Sequence, residues 1–330
     1  MQNQFTKFEE SFLEKISVID ISSISNDKIV NDYLQYILQH KKYFLKIYSF
    51  VLNEALIKSN TQIKDLSILD FGCGNGLLAL FAKYCGFKNV YACDYYSNFV
   101  KSANILSQYL CIQIQEFKVT NEYDLLNSFS TKKIDIIVGT DVIEHVYNLD
   151  VFYSNISALN PKMITAFTTA SVNDNYFKRK KLEQLMKIDE LEYIEIRKNI
   201  IHRNDSTFEQ LQLELLSKAT RGLNEIDITK FVNNCKITGR LNQVKINKYN
   251  TCDPITGNFT ERILTTKEYH NIYSSNNFSL NFISGFYNEE GNIFRRISLK
   301  LINNLIKFFN KEYISRTITP FILLTGNSKK

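Results

Sequence analysis

Apolar residues change their spacing three times along this chain. From Asn31 to Lys58 they recur at helical intervals, through Leu34, Leu38, Leu45, Tyr48, Leu52 and Leu56, which predicts one long amphipathic helix able to pack across a sheet or cap a site. Residues 1–30 are weakly patterned. From Ser67 to Thr169 short apolar runs alternate with helical patterns. Strands are predicted at Ser67–Asp70, Asn89–Asp94, Ile114–Thr120, Lys133–Gly139 and Lys162–Thr169, with a helix over Ser97–Leu110. The fourth run is nearly all apolar, as a strand covered on both faces should be. Strands alternating with helices argue for a parallel, doubly wound α/β sheet.

The alternation then stops. Phe177–Lys187 reads as a charged helix containing the run Lys178-Arg179-Lys180-Lys181, either a phosphate contact or a solvated face. Ser206-Thr207-Phe208-Glu209 reads as a capping box opening a helix through Leu211, Leu215 and Ala219 that ends at Arg221-Gly222. Asn224 with Asp227 starts another. Thr265-Thr266-Lys267-Glu268 is a second capping box, with Tyr269, Ile272 and Tyr273 on one face of its helix. Phe278–Phe286 and Thr317–Gly326 read as two final strands flanking a helix near Ile297–Phe309.

One stretch carries candidate chemistry. After the first strand comes Asp70-Phe71-Gly72-Cys73-Gly74-Asn75-Gly76, then apolar residues at helical spacing. Glycine is scarce, 11 in 330, yet three fall within five residues. Such a turn lets backbone approach a ligand closely, and the helix behind it offers free N–H groups and a positive dipole end. A dinucleotide loop wants G-x-G-x-x-G/A, but counting from Gly72 puts Leu77 last. The acid followed by glycines at 72, 74 and 76 instead resembles the D/E-x-G-x-G-x-G signature of class I S-adenosylmethionine (SAM)-dependent methyltransferases. Asp94, ending the second strand, is placed to hold ribose hydroxyls in either ligand class.

The resemblance covers about 65–170 and 262–328. It implies a Rossmann-like, seven-stranded, mostly parallel sheet with a reversed strand near the C-terminus. The cofactor would be SAM, held by Asp70, Gly72, Cys73, Gly74, Gly76, Asp94, Tyr95, Asn121 and Thr140. Asn121, in the loop where the family holds adenine, is equally well explained as a turn former. The segment before the glycine loop would close over the methionine end of SAM, with a cation among His40, Lys41 and Lys42, beside Tyr43, pairing its carboxylate. The expected organisation is an N-terminal helical segment (1–64), the SAM-binding core (65–170), a helical lid over the substrate (171–261) and the rest of the core (262–330). Tyr249–Ile263, rich in hydrogen-bonding side chains and turn formers, is a second candidate for substrate contact.

After the fourth strand, Gly139-Thr140-Asp141-Val142-Ile143-Glu144-His145-Val146 resembles the motif of ubiquinone-biosynthesis-type O-methyltransferases. A helical turn there would put Asp141, Glu144 and His145 on one face. Three readings stay open. His145 could be the general base for a substrate hydroxyl, histidine being the residue type that titrates near neutral pH. Asp141, Glu144 and His145 could bind a divalent metal, as a similar segment does in small-RNA 2′-O-methyltransferases, with His202 as fourth ligand. Or the motif could tie its loop to its neighbours.

Composition narrows the partners. The balance of 40 Lys+Arg against 34 Asp+Glu is too weak to imply nucleic acid. No apolar run reaches the roughly 20 residues of a membrane span, and the N-terminus lacks a signal-peptide pattern. The six cysteines show no C-x-x-C pair and suit a reducing compartment. The expectation is a cytoplasmic enzyme moving methyl from SAM to a hydroxyl of a small molecule, a sugar or sugar-phosphate. The alternatives are an N-methyltransferase, an RNA-directed enzyme recruited through Lys178–Lys181, or a silent SAM-fold subunit.

Overall fold

The computed structural model describes residues 3–239, 249–309 and 312–329. The chain opens with α1 (Thr6–Ser17), α2 (Lys28–Gln39) and α3 (Lys41–Ser59). It then alternates through β1 (Ser67–Phe71), α4 (Leu77–Tyr84), β2 (Asn89–Asp94), α5 (Ser97–Tyr109), β3 (Glu116–Val119), α6 (Leu125–Phe129), β4 (Ile136–Thr140), α7 (Leu149–Leu159) and β5 (Ile164–Thr169). Three helices follow: α8 (Tyr176–Asn204), α9 (Gln210–Ala219) and α10 (Glu225–Thr238). The rest comprises α11 (Thr266–Ser275), β6 (Asn281–Ser284), α12 (Ile293–Phe308), α13 (Tyr313–Ile318) and β7 (Ile322–Asn327).

Seven strands form one sheet in the order β3-β2-β1-β4-β5-β7-β6. β1 to β5 pair in parallel, and β7 runs antiparallel to both β5 and β6. This is the doubly wound sheet with a reversed strand expected from the sequence. Successive strand residues point to opposite faces, so each strand feeds two cores. Ile68, Val90, Val138 and Ala166 join the layer under α1, α3 and α4, while Leu69, Tyr91, Ile137 and Phe167 join the layer with α7 and α11. The carboxyl ends of the parallel strands therefore open between two helical layers, where such sheets bind ligands.

Several predicted boundaries need correction. The helix expected over Asn31–Lys58 is two helices broken at His40, whose N–H caps α2 by bonding Ile37 and Tyr36 carbonyls. The apolar spacing runs on across the break because both pieces bury a face, and so hides it. α1 lies in the weakly patterned segment, anchored by only Phe12 and Ile16 within it and Phe5 before it. α9 is capped by Glu209 with Gln212, not by Ser206, since Asp205 already takes the Thr207 amide and hydroxyl. α8 is far longer than Phe177–Lys187; its polar outer faces blur the helical period. Thr317 and Ile318 end α13 instead of starting a strand.

Helices α8 to α10 carry a small core of their own around Ile200, Ile201, Leu216, Ile228 and Val232. Arg197 is fully buried among them, donating to the Ser217 carbonyl at 2.8 Å and pairing with Glu190. Glu190 also accepts from Thr251 Oγ1 at 2.5 Å. One buried ion pair thus fastens α8, α9 and the segment beyond α10.

Candidate active site

The glycine loop turns from β1 into α4 with positive φ at Gly72 (70°) and Gly74 (51°). A Cβ at Gly72 would stand 2.1 Å from Val142 Cγ2, and one at Gly74 would stand 2.8 Å from the Tyr33 ring. Conformation and space both demand glycine here. Asp94 pins the loop: one carboxylate oxygen accepts the Gly74 amide and the other the Tyr96 amide, each at 2.9 Å. Tyr33 covers the loop from α2. That helix is held in place by its cap residue Asp27, which accepts from the Tyr96 hydroxyl at 2.5 Å and Asn98 Nδ2 at 2.7 Å.

Beside the loop lies a cavity of about 410 Å³, within the 300–1,000 Å³ range of small-molecule sites. Its near wall includes Gly72, Gly74, Asp94, Tyr95, Asn121 and Thr140. This wall fits an adenosyl cofactor: backbone without side chains in its way, a buried carboxylate facing inward, and the aromatic Tyr33 and Phe99 rings alongside. Burial raises the Asp94 carboxyl above its ordinary value. Asn121 lines the cavity while its Oδ1 accepts the Tyr123 and Asp124 amides, so its turn-forming role is satisfied locally. Asp70, Cys73 and Gly76 do not line the cavity. Asp70 instead accepts the Ala79 amide at 3.1 Å, tying α4 to β1; burial pushes its carboxyl up to about 8.

The far wall comes from three remote segments. After β4, Asp141 takes a left-handed φ of 50° and donates its amide to the Thr168 carbonyl at 3.2 Å. His145 Nδ1 sits 2.8 Å from the Phe259 carbonyl, and the Phe259 amide donates to the His145 carbonyl at 3.2 Å. That pair fixes the segment Tyr249–Ile263 over the site. Asp253, Asn258, Phe259 and Thr260 reach the cavity from it, and Asp189 and Tyr193 from α8. Thr260 Oγ1 donates to Asp189 at 2.8 Å, closing the wall.

The predicted face of Asp141, Glu144 and His145 does not form. The segment is a turn beginning with a left-handed residue, so Asp141 and His145 reach the cavity while Glu144 turns into the protein. Glu144 is 1% exposed, accepts the Ala170 amide at 3.2 Å, and leaves Oε2 without a partner among the described residues. Burial first, then the neighbouring Asp141 and Glu261, drive its carboxyl well above the ordinary range, which favours its protonated form. Asp141 is exposed as a residue, but the protein packed around its carboxyl, and then the neighbouring Glu261, lift that carboxyl above its ordinary value.

The metal set is likewise corrected: His202 lies exposed in the last turn of α8, and among the described residues no group of three or more His, Cys, Asp or Glu is arranged to hold a metal ion. His40 and Lys41 do not line the cavity. Lys42 and Tyr43 line a different, open groove of about 920 Å³ beside β6, with the Tyr43 hydroxyl donating to the Phe286 carbonyl. Arg179 and Lys180 of the basic run pair with Glu183. Sequence reasoning missed Tyr33, Asp189 and Tyr193, which carry no local signal and are brought in by α2 and α8.

Residues 34–219 match a family model described as a methyltransferase domain. The ubiquinone biosynthesis O-methyltransferase of Rickettsia prowazekii is 37% identical over 115 residues, 34% of this chain and 44% of that protein. The protein of the same name from Rickettsia bellii is 35% identical over 140 residues, 42% of this chain and 53% of its own. The chain thus spans about half the length of the curated relatives it matches. A solved S-adenosylmethionine-dependent methyltransferase from Clostridium acetobutylicum aligns over 86% of this chain and 92% of its own at 12% identity, with a TM-score of 0.45.

Proposed function

The chain belongs to the methyltransferase domain family, in the class I SAM-dependent group, and from that premise we propose that it methylates a hydroxyl of a small molecule with His145 as general base. Bound SAM supplies an electrophilic methyl carbon on a sulfonium sulfur. Gly72 and Gly74 would give it backbone to lie against, Asp94 would hold its ribose hydroxyls, Asn121 and Glu122 would border its base, and Tyr33 would cover the loop; all six line the cavity.

The observation that carries the hydroxyl reading is the His145 Nδ1 to Phe259 carbonyl bond at 2.8 Å. A carbonyl only accepts, so Nδ1 carries the proton, and in the neutral ring Nε2 keeps its lone pair. His145 then takes the hydroxyl proton as oxygen bonds to the methyl carbon and the carbon–sulfur bond breaks. Positioning supplies much of the remaining rate. The O-methyltransferase name of the Rickettsia relatives agrees with a hydroxyl acceptor.

The lining also bears on the acceptor's charge. It includes Asp94, Glu122, Asp141, Asp189 and Asp253 but, among the described residues, no Lys or Arg. An uncharged, sugar-like or other polyhydroxyl acceptor suits Thr256, Asn258 and Thr260. A sugar-phosphate would meet carboxylates without a cation to answer them. The same carboxylates favour a second reading, transfer to an amine nitrogen. Labelled-methyl transfer from SAM to matched alcohol and amine acceptors decides between them. O-transfer lost in His145→Ala supports the first, and N-transfer indifferent to His145 supports the second.

A further inference from the structure

Helix α12 leaves β6 at the end of the sheet where the parallel strands finish, and returns through α13 to β7. It contributes little to the core: Ile306 is its one buried residue. On the opposite side Phe294, Ile297, Leu301, Leu305 and Phe308 follow at intervals of three and four, a continuous apolar stripe by helical geometry. All five are more than half exposed, the two phenylalanines 80%. Such a stripe is an interaction surface.

Charge identifies what covers it. The helix contains Arg295, Arg296, Lys300 and Lys307 and no acid. Arg296, Lys300 and Lys307, at i, i+4 and i+11, run along one border of the stripe. All four cations are exposed, and none enters an ion pair among the described residues. The acids just before the helix are engaged locally, Glu289 with Asn303 and Glu290 with Asn288. A second copy docked antiparallel and two-fold on this helix would set the cationic border against itself. A phospholipid surface takes both features at once, acyl boundary for the stripe and anionic headgroups for the border.

The geometry points to α12 as an in-plane anchor: we propose that the protein docks through this helix on an anionic membrane surface. Anchoring there lays the ligand-binding end of the sheet near the bilayer, since α13 is tied by Arg316 to Asp174 at 2.9 Å, at the exit of β5.

The test is flotation of the full chain with phosphatidylcholine vesicles, with and without phosphatidylglycerol. The expected result is flotation with the anionic vesicles only, weakened by salt. Leu301→Glu with Phe308→Glu abolishes it, while SAM affinity by calorimetry stays as in the parent chain. Lys300→Ala alone lowers vesicle affinity about fivefold. No flotation with anionic vesicles, or equal flotation of the double variant, overturns the proposal. So does a dimer in sedimentation that the double variant dissolves, because the stripe then belongs to a second copy.

Discussion

The two walls of the cavity are built in opposite ways. The cofactor wall is mostly one unbroken piece of chain, β1, the glycine loop and β2, whose shape follows from backbone conformation and a single carboxylate, Asp94. The opposite wall is assembled from the turn after β4, the segment Tyr249–Ile263 and α8. Long-range bonds hold it, among them His145 with Phe259, Thr260 with Asp189, Thr251 with Glu190, and Arg221 with the Tyr249 and Asn250 carbonyls. The first wall is shaped by local chemistry, as the proposed cofactor site requires. The second depends on long-range contacts between segments far apart in the chain.

If this division holds, variants sort by wall. His145→Ala is expected to have the largest effect, lowering kcat by about 10²–10⁴ with SAM affinity unchanged in calorimetry; a loss under tenfold would move the base elsewhere. Arg197→Ala attacks the far wall's support. It is expected to destabilise the protein by about 3 kcal/mol in urea unfolding, the low end for breaking a buried pair, because Arg221 stays 3.5 Å from Glu190. Its damage should fall on the acceptor KM more than on SAM; the reverse would erase the division.

On the cofactor wall, Asp94→Ala is expected to weaken SAM binding by about 1–3 kcal/mol without altering the acceptor KM. The smallest effect is a pH slope. Asp70 is raised from 3.8 to about 8 by burial, so between those values the folded state keeps a proton that the unfolded state has lost. Stability therefore falls as pH rises through that window. Asp70→Asn should flatten the fall by up to about 1.4 kcal/mol per pH unit, read from unfolding curves at pH 5 and 7; an unchanged slope would mean Asp70 ionises freely.

The same contrast explains what the sequence discloses. The parallel strands, the glycine loop and Asp94 were legible because each is written in adjacent residues: apolar runs, three glycines, an acid ending a strand; the reversed strand was implied by the family resemblance. The face of Asp141, Glu144 and His145 was misread because one left-handed residue turns the segment, and spacing cannot reveal a φ of 50°. His202 looked close in chain order, yet the length of α8 carries it to an exposed last turn. Tyr33, Asp189 and Tyr193 reach the site only through packing. Tyr249–Ile263 was noticed for its polar side chains, but its docking on His145 is a long-range hydrogen-bond pair.

Central to all of this is the proposal that the cavity beside the glycine loop takes an adenosyl sulfonium. Calorimetric titration of the purified chain with SAM tests it most directly. One saturable site per chain, weakened in Asp94→Ala and indifferent to His145→Ala, is the expected result. No binding heat together with no rise in melting temperature at saturating SAM would contradict it.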